Sequence, residues 1–69
     1  MTHQEIKKAA GRRPFRPFAI RLSDGEVVAV QREQEIAINP HNRKTVVVFD
    51  TDGTVRVLDV AQVTELALS

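Results

Sequence analysis

The chain has 69 residues, of which 42% are hydrophobic, ten are Lys or Arg, nine are Asp or Glu and none is cysteine. The lack of cysteine excludes disulfides and thiolate metal ligands, and a chain of this size buries only about 60% of its unfolded surface. The longest apolar runs have four residues, whereas a membrane-spanning helix needs about 20. The first residues also lack the apolar segment of a signal peptide, so we expect a cytoplasmic protein with no membrane partner.

The N-terminus carries the signals of a short helix. Thr2 and Glu5 have the spacing of a capping box, in which each side chain accepts a hydrogen bond from the other residue's backbone. Apolar residues at positions 6, 9 and 10 share one helical face, and Gly11 suits a left-handed helix end. We therefore predict a helix over residues 3–10, which is too short to be stable alone and must dock through Ile6.

Positive charge is concentrated in the first sixteen residues. Five basic side chains against Glu5 give this arm a charge of +4, and five basic against eight acidic side chains give residues 17–69 a charge of −3. The basic side chains of the arm are Lys7, Lys8, Arg12, Arg13 and Arg16. Such a division indicates either contact with nucleic acid or docking of the arm on the protein's own body.

Two Pro-Phe pairs follow in the segment RRPFRPF. Pro14 and Pro17 prevent a helix from continuing and favour extended backbone before them. Arginines interleaved with Phe15 and Phe18 could stack on and neutralise a nucleic acid strand. Because a small domain needs its few aromatic side chains inside, we favour a structural clasp in which both rings pack in the core.

The next segment has the pattern of a β-hairpin. Asp24-Gly25 is a strong turn signal, and a two-residue loop there pairs Leu22 with Val27 and Ile20 with Ala29. The remaining two valines of the second strand then lie on its opposite face, so both faces of this strand must be covered. The predicted core of the domain contains Phe15, Phe18, Ile20, Leu22 and Phe49.

A second hairpin is predicted further along the chain. After a strand-like Ile36/Ile38 pair and a polar loop, residues 45–49 are a strand rich in β-branched residues. Asp52-Gly53 fits a three-residue loop with Gly53 in the left-handed conformation, which pairs Phe49 with Val55. A last short strand is expected over residues 63–68.

These elements predict an α+β chain that is mainly β. We expect a short N-terminal helix followed by a five- to six-stranded antiparallel small barrel of the Sm-like or SH3-like kind. All 69 residues form a single domain in this interpretation, with the helix and basic arm in residues 1–12 and the barrel in residues 13–69.

One segment resembles a catalytic motif. The strand that runs into Asp50-Thr51-Asp52-Gly53-Thr54 resembles the first motif of haloacid-dehalogenase-type phosphatases, which implies Asp50 as nucleophile and Asp52 as general acid. Such a site also needs a metal held by further carboxylates and a cation for the phosphate, and no lysine follows Lys44. We therefore interpret the motif as a hairpin turn and expect no catalytic residue.

Metal and cofactor sites are also not expected. His3 and His41 are the two histidines, and neither has a second ligand at helical spacing. We expect both imidazoles to be solvated at the surface, with no metal ligand and no cofactor.

Two resemblances bear on the whole chain. The RPFxPFxIxLxDG segment from Arg13 to Gly25, the later VVVFDTDG segment and Leu58-Asp59-Val60 resemble a group of short uncharacterised bacterial proteins, which carries no activity to transfer. The form Ile20-x-Leu22-x-x-Gly25 resembles the first strand of Sm-like barrels, which implies an N-terminal helix, five strands and RNA binding. The RNA-pocket residues of that family have no counterpart here, since residues 31–35 stand in their place.

The expected function is that of a non-enzymatic binding or assembly module. Its partner would be another protein or a second copy of the chain, bound through an exposed edge strand. The alternative is a nucleic-acid-binding barrel that uses the five basic residues of the arm as phosphate contacts.

Overall fold

A computed structural model describes residues 2–68 of the chain. Two short 3-10 helices, Glu33–Glu35 and Val60–Gln62, interrupt a chain of one helix and six strands. The elements are α1 (His3–Ala10), β1 (Phe18–Leu22), β2 (Val27–Val30), β3 (Ile36–Ile38), β4 (Thr45–Phe49), β5 (Val55–Asp59) and β6 (Val63–Leu68).

The strands form two separate antiparallel sheets of three strands each. Sheet A has the order β2-β1-β6, and sheet B has the order β3-β4-β5. The inner faces of both sheets and one side of α1 contribute to a single buried cluster. Its members are Ile6, Phe18, Ile20, Val28, Val30, Val46, Val48, Leu58, Val60 and Val63.

The predicted five- to six-stranded barrel over residues 13–69 is therefore wrong, and the Sm-like and SH3-like architectures drawn from it have no support. A closed barrel needs a hydrogen-bonded ladder that continues from strand to strand around the whole sheet. Here the chain crosses between the sheets through the 3-10 helices, the first between β2 and β3 and the second between β5 and β6. The strand pairing stops at both crossings, so the sheets stay separate.

Helix α1 has the predicted limits and the predicted capping box. The Thr2 hydroxyl accepts from the Glu5 backbone N–H at 3.3 Å, and the Glu5 carboxylate accepts from the Thr2 backbone N–H at 3.4 Å. Gly11 ends the helix with φ −93°, so the expected left-handed conformation is wrong at this position. Its backbone N–H donates to the Lys7 carbonyl at 3.0 Å, and Ile6 is fully buried as the sequence predicts.

The first hairpin has a three-residue loop instead of the predicted two-residue loop. The Leu22 N–H donates to the Glu26 carbonyl at 2.8 Å, which leaves residues 23–25 as the loop, with Gly25 at φ 90°. Ile20 therefore lies opposite Val28, so the predicted pairing of Ile20 with Ala29 is wrong. The shift of the register by one residue turns Val28 inward. The valines that the predicted register left on the outer face of β2 are therefore on its buried face.

The second hairpin has the predicted register. Phe49 lies opposite Val55, and Gly53 has φ 89° in a three-residue loop. Both hairpins use the same loop, because Asp24 accepts from the Glu26 N–H at 2.9 Å just as Asp52 accepts from the Thr54 N–H at 2.9 Å.

The chain is built from two similar halves that exchange their third strands. Each half runs from a strand through an Asp-Gly loop, a second strand and a 3-10 helix to a third strand. β3, the third strand of the first half, pairs with β4 of the second half, and β6 pairs with β1 of the first half. Each sheet is therefore a hairpin from one half completed by a strand from the other.

Candidate functional site

The five basic residues of the arm do not form one surface. Lys7 and Arg13 line a groove between α1 and the apolar residues of β3. Lys8 and Arg12 line another groove, on the side of α1 that faces β6. Arg16 lies beyond the helix and is exposed. The helix therefore divides the positive charge between two sides of the molecule, and each groove also contains a glutamate.

The arm is fastened to the body of the protein. Arg13 Nη2 lies 2.6 Å from the Glu33 carboxylate, although this exposed ion pair contributes at most about 1 kcal/mol. Phe15 is half-buried, packs against the core and places its ring centroid 6.1 Å from that of Phe18. This arrangement is that of the clasp predicted from the sequence.

The predicted core residues differ in their burial. Phe18 and Ile20 are fully buried, and Leu22 is half-buried against the same cluster. Phe49 is 38% exposed, so its assignment to the core is wrong. Successive side chains in a strand point to opposite faces, and β4 turns Val46 and Val48 inward, which directs Phe49 outward.

The two aspartates of the phosphatase-like motif lie in the second hairpin loop. The Asp50 backbone closes the loop by donating to the Thr54 carbonyl at 2.8 Å. The pKa of the exposed Asp52 carboxyl lies below its usual value. The larger cause is the hydrogen bond from the Thr54 backbone N–H, and the smaller is the hydrogen bond from the Thr54 hydroxyl. Within residues 2–68, no group of three or more His, Asp or Glu side chains could hold a metal ion.

The two histidines have different surroundings. His41 is exposed in the loop before β4, as predicted. His3 is buried, so the prediction of a solvated imidazole is wrong at this position. Its Nε2 atom is buried and has no hydrogen-bond partner among the described residues, and His3 and Val60 line the same groove. A buried polar atom without a partner lowers stability, because it has lost its hydration without compensation.

The outer face of sheet B is apolar across all three strands. Ala37, Val47 and Val57 lie side by side in register, one from each strand. Phe49 and Val55 form a second pair beside them, and Val57, at 68%, is the most exposed of the large apolar residues on this face. A contiguous exposed apolar face of this kind indicates an interaction site.

Strand β5 is an open edge of this sheet. The Asp50 N–H donates to the Thr54 carbonyl and the Val60 N–H donates to the Lys44 carbonyl, and these bonds mark the two ends of the β4–β5 ladder. Hydrogen-bonded and non-bonded residues alternate in an antiparallel pair, so the even-numbered residues of β5 bond to β4. The backbone groups of Val55, Val57 and Asp59 consequently point away from β4.

A groove runs beside this edge. It is lined on one side by residues of β5 and on the other by the first hairpin, including Asp24 and Glu26. Arg56 of β5 forms an ion pair with Glu26 across it. Apart from this pair, the groove carries the carboxylates of Asp24 and Asp59, so its remaining charge is negative.

Sheet A has a different outer face. Its central row consists of Ala19, Ala29 and Ala67, and the next row contains an ion pair between Arg21 Nε and the Glu65 carboxylate at 3.1 Å. Small and charged side chains therefore cover the centre of sheet A, where sheet B presents valines, and Val27 is an exposed valine at the β2 edge of sheet A. The sequence predicted an exposed edge strand but did not identify which strand it is. The signal for β5 was its Val-x-Val pattern at positions 55–57, because these valines pair with apolar residues of β4 that are already in the middle of the sheet.

The chain matches no protein-family model, and comparisons with curated proteins and with solved structures also found no match. The helix in the described part of the chain, α1, is too short to span a membrane.

Proposed function

We propose that the chain is a non-enzymatic protein-binding module that accepts an extended strand of a partner along β5. The observation that carries this proposal is the combination of outward-facing backbone groups and exposed valines on one strand. In strand addition, main-chain hydrogen bonds supply affinity and alternate side chains supply specificity. β5 offers both, because Val55 and Val57 extend the apolar outer face of sheet B to its open edge.

The two aspartates of the phosphatase-like motif have structural roles in the second hairpin. Asp52 caps the loop of the hairpin that presents β5, and Asp50 closes the same loop. The motif thus shapes the edge of the binding surface, which favours a module without catalytic chemistry.

Nucleic-acid binding by the basic arm has less support. A phosphate backbone is best followed by a continuous line of basic side chains. Here α1 separates Lys7 and Arg13 from Lys8 and Arg12, and Arg13 is paired with Glu33. A titration of short labelled RNA at physiological salt tests this alternative, with Arg12, Arg13 and Arg16 changed to Gln as the control. Micromolar, salt-sensitive binding that the control loses would favour the alternative.

Photo-crosslinking tests the proposed binding surface. A photoreactive amino acid replaces Val57 in one full-length variant and Val27 in another, and both are irradiated in the cells that produce them. Val27 is a matched control, because it is 50% exposed on an edge strand of sheet A. We expect protein adducts from position 57 and few from position 27. Equal yields, or none from position 57, would contradict the proposed function.

A further inference from the structure

We propose that the partner strand is β5 of a second copy of this chain, paired antiparallel so that Val57 of both copies lies on the two-fold axis. This inference rests on the proposed function, because it names the partner of the same edge. The resulting dimer contains a continuous six-stranded sheet in the order β3-β4-β5-β5-β4-β3.

Backbone geometry restricts the registers that are available. Only Val55, Val57 and Asp59 direct their backbone groups away from β4. In a new antiparallel pair these residues must therefore lie opposite one another, which allows a two-fold axis at any residue from 55 to 59 and excludes axes midway between two residues.

Side-chain chemistry and the length of β5 select one of these five registers. An axis at Arg56 places the two arginines directly opposite each other, and like charges in that position are destabilising. An axis at Val55 places Val57 and Asp59 opposite residues of the hairpin loop. An axis at Asp59 places two carboxylates opposite each other, and an axis at residue 58 places Val55 opposite the 3-10 helix that follows β5. An axis at Val57 pairs all five residues of β5 with the five of the second copy and places Val55 opposite Asp59.

This register also extends the apolar face. The row Ala37–Val47–Val57 of one copy meets the same row of the other at the axis. Six small or branched apolar side chains then lie side by side across the joined sheet. The exposed Val57 gains a cross-strand apolar neighbour, which is the contact that stabilises adjacent strands.

Charge in the groove suits a second copy of the same strand. Arg56 lies on the face of β5 that points towards the first hairpin, where it pairs with Glu26. The Arg56 side chain of an incoming β5 faces the same way and approaches the side of the groove that carries the Asp24 carboxylate. The negative groove therefore receives a strand that brings one cation on its inner side.

Within sheet B, the geometry favours an assembly of two copies. A two-fold contact uses the same strand on both sides, so it closes upon itself. The remaining edge of sheet B is β3, which has three residues and borders the groove beside α1 and Arg13. Short, covered edges do not readily accept further strands.

Sedimentation of the full chain and single-cysteine variants test the inference, since the chain has no cysteine of its own. Residues in a hydrogen-bonded antiparallel pair have Cα atoms about 5.5 Å apart, within the range of about 4.4–6.8 Å that a disulfide needs. We expect a wild-type mass of twice the chain, and a rapid intermolecular disulfide in Val57→Cys under mild oxidation.

The matched control is Val55→Cys, on the same exposed face of the same strand. In the proposed register the two Val55 positions are four residues apart along the strands, about 14 Å, and form no direct disulfide. We expect the Val55→Cys, Asp59→Cys double variant to crosslink, and Val57→Lys to sediment as a folded monomer.

Each contrary result has a distinct meaning. A wild-type chain that stays monomeric at all concentrations overturns the inference that the partner is a second copy. In that case, photo-adducts with other proteins at position 57 would still support the proposed function. A dimer in which Val55→Cys crosslinks faster than Val57→Cys overturns the register and hence the inference. A dimer unaffected by Val57→Lys likewise overturns it, because that interface must lie elsewhere.

Discussion

Ile20 lies directly opposite Val28 across the first hairpin, and this pairing determines which side of β2 is buried. The predicted register placed Ile20 opposite Ala29 and would have left Val28 on the outside. The observed register buries Val28 and Val30 and exposes Val27 and Ala29. One additional loop residue is thus enough to exchange the two faces of the strand, because side chains alternate with a period of two.

Removal of the Phe18 ring is expected to unfold the domain or nearly so. Phe18 is 2% exposed at the centre of the buried cluster, and Phe18→Ala should cost about 3–5 kcal/mol of unfolding free energy. Phe49→Ala is the control, because its 38% exposed ring should cost less than about 1 kcal/mol. Urea denaturation measures both, and equal losses would contradict the division between inner and outer faces of the strands.

Side chains at the two loop glycines are expected to be equally unfavourable. Gly25 and Gly53 have φ of 90° and 89°, and a Cβ at either position meets no atom within 4 Å. Gly25→Val and Gly53→Val should therefore each cost about 1–2 kcal/mol from backbone strain alone. Thr51→Val in the same loop should have little effect on the denaturation midpoint. A valine at Gly25 that leaves stability unchanged would contradict the three-residue loop of the first hairpin.

Replacement of the buried histidine is expected to stabilise the protein. His3→Leu replaces a ring whose Nε2 atom is buried without a partner by an apolar side chain. We expect the free energy of unfolding to rise by about 1 kcal/mol. His41→Leu, at an exposed loop position, is the control and should change little. A clear loss of stability in His3→Leu would mean that Nε2 makes a hydrogen bond in solution.

Acid is expected to weaken the second hairpin through Asp52. The hydrogen bonds from Thr54 hold the pKa of this carboxyl below the ordinary value of 3.8. A lowered pKa in the folded state stabilises the protein above the unfolded-state pKa, and this contribution is lost as the pH falls through the folded-state pKa. Asp52→Asn cannot titrate, so its Tm should lie below wild type near neutral pH and approach it in acid. A difference in Tm that stays constant with pH would contradict this role.

The chain contains an internal repeat that was not recognised from the sequence. The segment Glu35-Ile36-Ala37-Ile38 matches Glu65-Leu66-Ala67-Leu68, and both follow an Asp-Gly hairpin and a 3-10 helix. The matching residues are 28 positions apart in the hairpin loops and 30 apart in the third strands, and the bulge of β6 opposite Arg21 accounts for one of the two extra residues. The similarity becomes clear only when the exchanged strands show that Ile36 and Leu66 have equivalent partners in their sheets.

The sequence by itself determined the local elements of this protein. The limits of α1, its capping box, the burial of Ile6 and the register of the second hairpin follow from signals between residues close together in the chain. The N-terminal cap and the second Asp-Gly loop depend on backbone geometry over a few residues, so they can be predicted without knowledge of the rest of the fold. The same signals were not sufficient for the end of α1 at Gly11 or for the length of the first loop.

Only the tertiary structure decided how these elements combine. The separation into two sheets, the exchange of β3 and β6 and the exposure of Phe49 depend on contacts between residues far apart in the chain. The same is true of the candidate binding edge, because the valines of β5 resemble core residues until β5 is seen to have a neighbour on one side only. Hydrophobic alternation shows that a strand has an apolar face, whereas the packing of the two sheets determines whether that face is covered.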